Sequence, residues 1–79
     1  MYGKVKWYGM AMELAGMWDG VPRGHRVEWL KGWCEKKGCM VFYEPVVEAI
    51  EARDMEGAIG VDVAILMLSV ILEQVGSIF

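Results

Sequence analysis

The nine residues Ala64–Leu72 read AILMLSVIL, and eight of them are apolar. They lie within GAIGVDVAILMLSVILEQVGSIF, which runs from Gly57 to Phe79. A membrane span needs about 20 mostly apolar residues. Residues 58–75 approach that length but include Asp62 and Glu73, and a carboxylate at the centre of a span costs about 2.5–3.5 kcal/mol on insertion scales. No Lys or Arg follows Arg53 to anchor a far side. On a helix with 100° per residue, Asp62, Ser69 and Glu73 fall within about 40° of one another. The run therefore reads as an amphipathic helix over Val61–Val75, with a thin polar edge and an apolar remainder. Asp62 is its expected N-cap or first-turn acid and Gly76 its expected C-terminal cap.

Such a helix needs apolar neighbours on several sides. From Tyr2 to Trp18 the spacing predicts a first helix, firmest over Met10–Trp18 and apolar on two faces. DGVPRG (Asp19–Gly24) is a break. His25–Lys37 is the clearest helix: Val27, Trp29, Leu30, Trp33 and Cys34 share one arc, and Lys36-Lys37-Gly38 is a strong stop signal. Pro45 fits the first turn of a third helix over Pro45–Glu56. These segments predict one all-α domain over residues 1–79, a bundle of three to four helices around the apolar C-terminal helix. The alternative is α+β, with a short strand pair from residues 2–8 and 40–43. The N-terminal segment MYGKVKWYGMAMELAG is not expected to be a signal peptide, because Glu13 interrupts its apolar part.

Composition narrows the function. The chain has 79 residues, 56% of them hydrophobic before its ten glycines are counted. That exceeds the usual share, and a core of about this size supplies only a few kcal/mol of net stability. There is no Asn or Thr, and only Ser69, Ser77 and Gln74 carry an uncharged hydroxyl or amide outside the tyrosines. These are the usual hydrogen-bonding groups of catalytic sites, so the composition argues against an enzyme. Net charge is −3, divided unevenly: residues 1–40 hold seven Lys or Arg against four acids, and residues 41–79 hold Arg53 against seven.

Few residues carry chemistry. His25, Cys34 and Cys39 are zinc-type ligands without a fourth member, and Cys34 packs on an apolar arc, so no metal or cofactor is expected. Two cysteines are too few for a disulfide scaffold and point to a reducing, cytoplasmic setting. The segment 23–37 interleaves Arg23, His25, Arg26, Lys31, Lys36 and Lys37 with two tryptophans, a pattern that can grip phosphate and stack bases. The helical arc assigns Trp29 and Trp33 to packing instead.

The expected function is binding: a small regulator, inhibitor or adaptor that docks on a protein partner and self-associates as a homodimer. Small acidic inhibitors, including viral ones, share this size and charge only by analogy. Large aromatics and adaptable methionines concentrate in interface centres. Candidate contacts are therefore Trp7, Trp18, Trp29, Trp33 and Tyr43, with Glu44, Glu48 and Glu51 as an acidic recognition face. The alternatives are a membrane-associated protein anchored by residues 58–75 and a nucleic-acid module using residues 23–37.

Overall fold

The computed structural model describes the backbone of residues 2–76 and the side chains of residues 6–75. Four α-helices follow one another among them: α1 (Tyr2–Trp18), α2 (Arg26–Lys37), α3 (Tyr43–Ala52) and α4 (Gly60–Gly76). Short 3-10 turns, Arg23–His25 and Met40–Phe42, lead into α2 and α3. The all-α reading holds. The strand-pair alternative does not: residues 2–8 open α1, and residues 40–42 form a single tight turn.

Helices α2 and α3 stop in the same way. Gly38 takes φ 76°, its N–H bonds Glu35 O at 3.4 Å and the Cys39 N–H bonds Cys34 O at 2.9 Å. This is a Schellman cap, in which a left-handed residue turns the chain back on its last carbonyls. Helix α3 repeats it with Asp54 at φ 53°, Asp54 N–H to Glu51 O and Met55 N–H to Ile50 O at 2.8 Å. Hence α3 ends at Ala52, not at Glu56 as the sequence predicts. A non-glycine residue held left-handed is strained, and an acid there faces the negative end of the helix dipole. Asp54→Gly is expected to raise stability by about 0.5–1 kcal/mol, measurable as a higher urea midpoint.

Helix α4 also departs from its expected start. Its first N–H, on Gly60, donates to Asp19 Oδ1 at 2.9 Å. The carboxylate that satisfies the helix start thus comes from the turn after α1, while Asp62 lies exposed in the first turn. The same joint holds the Trp18 indole N–H on Ala58 O at 2.9 Å. The C-terminal end of α1 therefore meets the N-terminal end of α4, and the two pack along their lengths as an antiparallel pair.

The core lies on one side of this pair. Leu14 and Trp18 from α1, Leu30 and Cys34 from α2, Val46 and Ile50 from α3, and Val63, Met67 and Ile71 from α4 are all buried in one cluster. Trp29 bridges two tryptophans, edge-on to Trp18 and stacked on Trp33. Among the described residues, Arg26 is the buried charged one. Its guanidinium donates to Val21 O at 3.0 Å, Glu56 O at 2.8 Å and Ala58 O at 3.3 Å, and lies 5.1 Å from the Trp18 ring centre.

Candidate interaction surface

The antiparallel pair has a second side, turned away from the core. Its seam is made of small residues. A Cβ built on Gly60 would overlap the Ala15 carbonyl, so the two backbones touch there. One turn along, Ala11 and Ala64 are both buried. On either side of this seam the outer surface is apolar. Helix α4 shows Val61 (55% exposed), Ile65 (57%) and Leu72 (40%), with Leu68 half-buried among them. Helix α1 shows Tyr8 and Met12, the latter 75% exposed. Tyr8 is seven residues from Ala15 and four from Met12, so both lie beside the stripe that meets Gly60. With α1 and α4 antiparallel, the two exposed sets then point the same way and form one continuous face.

Two features of this face bear on what it can do. Val61, Ile65, Leu68, Leu72 and the half-buried Val75 are spaced 4-3-4-3, the heptad pattern of a helix seam that packs on another helix. Beside Met12, Gly9 and Gly16 are exposed, and a Cβ on either would meet nothing among the described residues. Mid-helix glycine costs roughly 0.5–1 kcal/mol relative to alanine. No packing among the described residues offsets that cost, whereas a second helix could approach closely across the bare backbone. Asp62, Ser69 and Glu73 are all exposed and line the outer rim, the thin polar edge expected from the sequence.

The residues singled out from the sequence fall elsewhere. Trp18 and Trp33 are buried in the core, so neither offers surface to a partner. Trp7 and Trp29 are half-buried, and Trp7 lies edge-on to Phe42 at 5.2 Å. The Tyr43 hydroxyl donates to Val27 O at 3.2 Å, and burial, reinforced by nearby carboxylates, holds that phenol above its ordinary value. Glu44, Glu48 and Glu51 are exposed on α3. Glu51 also lines a small open cleft of about 210 Å³ with Val27, Ile50, Asp54 and Glu56.

In segment 23–37, Arg26 and Trp33 turn inward, which separates them from the exposed Arg23, Lys31 and Lys36. Lys37 pairs with Glu13 across α1 and α2, with Nζ to Oε2 at 2.9 Å. That bond holds Glu13 below the ordinary carboxylate range. The buried Trp33 N–H lies outside hydrogen-bonding geometry yet is close enough to favour the same carboxylate. His25 is exposed at the start of α2, a helix length from Cys34, and among the described residues no three His, Cys, Asp or Glu side chains are grouped to hold a metal. No helix among the described residues is long and apolar enough to cross a membrane.

The fold and surface define a small four-helix domain with one bare two-helix face. Compared with protein-family models, curated proteins and solved structures, the chain matches none.

Proposed function

We propose that the protein is a non-enzymatic interaction module of the cytoplasm, a small regulator, inhibitor or adaptor, that works by docking through the outer α1/α4 face. Its first occupant is a second copy of the chain. The observation that supports this reading is the exposed heptad ridge Val61–Ile65–Leu68–Leu72. Burying an exposed Val, Leu or Ile gains about 1.5–3 kcal/mol, so several on one ridge favour association. A ridge of this kind is self-complementary about a two-fold axis, the commonest closed symmetry of protein assemblies. Gly9 and Gly16 let the partner's backbone come close. The two free thiols suit a reducing compartment.

Light scattering on the purified protein tests this. The expected mass is twice 8.9 kDa. Ile65→Glu places a charge in the middle of the ridge without touching the core, and should return the monomer with its helical circular dichroism intact. A wild-type protein that stays monomeric up to the highest soluble concentration would refute self-association through this face.

A further inference from the structure

Cys34 and Cys39 lie on opposite sides of the α2 cap. Both are fully buried and belong to the same core cluster. The Schellman turn brings them together. With the Cys39 N–H 2.9 Å from Cys34 O, standard bond lengths limit the separation of the two Cα atoms to at most about 6.8 Å, the upper end of the range a disulfide spans. The contact that normally completes a Schellman cap joins these two positions. Here both are cysteine.

We propose that Cys34 and Cys39 form a redox-active dithiol that a small hydroperoxide converts into an intramolecular disulfide across the end of α2. The adjoining Cys34 thiol favours thiolate at Cys39 against the opposing effect of burial, helped by Lys6 and Lys37, while Cys39 beside it and burial hold Cys34 protonated. This distinguishes the attacking sulfur from the resolving one. The Cys39 thiolate attacks one peroxide oxygen and the O–O bond breaks. The departing hydroxide or alkoxide takes a proton, leaving a sulfenic acid on Cys39. Cys34 sulfur then attacks Cys39 sulfur, the S–O bond breaks, and the hydroxide lost there takes the Cys34 proton as water. With hydrogen peroxide the dithiol is oxidised by two electrons and two waters form. Burial selects the oxidant. A small neutral peroxide can reach the buried pair during a local opening, whereas a bulky disulfide would have to enter the core.

The test uses the intact wild-type protein. Hydrogen peroxide is added to the folded chain and quenched, and the protein is then unfolded in iodoacetamide and its mass measured. The expected product has lost two hydrogens, takes up no alkyl group and gives a proteolytic fragment linking Cys34 to Cys39. It forms faster in the folded protein than in urea. With dimedone present during oxidation of the wild-type protein, the label should fall on Cys39 and not on Cys34. Two alkylatable thiols after peroxide, separate over-oxidation of each cysteine, a cross-link only between chains, or faster closure in urea would each overturn the proposal. Dimedone labelling of Cys34 in preference to Cys39 would overturn the assigned roles.

Discussion

Arg26→Ala is expected to lower stability by about 3–4 kcal/mol, from the several hydrogen bonds to a charged donor that it removes. A core of about this size supplies roughly 3–5 kcal/mol in total, so most of the population should unfold near room temperature. Arg26 opens α2, and its head reaches the turn after α1 through Val21 O and the α3–α4 connector through Glu56 O and Ala58 O. Neither segment is a helix that could satisfy those carbonyls itself. Removing the guanidinium takes the donor from the part-buried Val21 and Glu56 carbonyls, leaves Ala58 O with the Trp18 indole alone, and empties the space over Trp18. Two further substitutions separate these losses. Arg26→Met keeps the chain length and much of the packing but no donor, so it should recover only a small part of the stability. Arg26→Lys keeps the charge but not the planar fork that meets several carbonyls at once, and should fall between wild type and Ala. Urea unfolding followed by circular dichroism measures all three. An Ala variant within 1 kcal/mol of wild type would mean that water replaces the guanidinium at those carbonyls.

The interactions that were readable in advance are the local ones. The arc Val27–Leu30–Cys34 and the Lys36-Lys37-Gly38 stop depend on neighbours along the chain, and α2 lies where they place it. Asp62, Ser69 and Glu73 align because of helical periodicity alone, and all three face solvent. The excess apolar circumference of α4 was legible too, but not which part stays bare. That depends on α1 covering one flank and α3 another, a matter of packing between distant segments. Arg26 was hidden for the same reason. Its acceptors lie five, 30 and 32 residues away, and in sequence it is one more cation in a basic stretch. The sequence does not separate core from surface tryptophans, because large aromatics suit interfaces and small cores equally. Trp18 and Trp33 are spent in the core, and the exposed apolar work passes to Met12, Tyr8 and the aliphatic ridge. The 4-3-4-3 spacing of Val61, Ile65, Leu68, Leu72 and Val75 was present in the sequence as a signal for that ridge, masked by the equally apolar residues between them.

Gly60→Ala is expected to destabilise the protein by about 2–4 kcal/mol, the upper range for overpacking at a site that cannot relax. Alanine normally improves a helix by about 1 kcal/mol over glycine, so the sign of the effect is the test. At Gly60 the new methyl would meet main chain: it overlaps the Ala15 carbonyl oxygen and crowds the Ala15 C and Cα at 2.9 and 3.1 Å. No side-chain rotation relieves that. Either α1 and α4 separate at their joint, or the first turn of α4 unwinds and gives up the bonds from Gly60 N–H to Asp19 and from Trp18 to Ala58 O. Gly32→Ala is the control. Gly32 is an exposed residue of α2 with open space where its Cβ would be, so the same change there should stabilise by about 0.5–1 kcal/mol. Opposite signs at the two glycines would establish the close α1–α4 approach, and equal stabilisation would disprove it. The docking face depends on this approach as well. Tyr8 and Met12 join the apolar ridge of α4 in one face only while the two backbones approach this closely at Gly60. A folded fraction of Gly60→Ala should therefore dimerise more weakly than wild type, although residue 60 itself is buried beneath the face it supports.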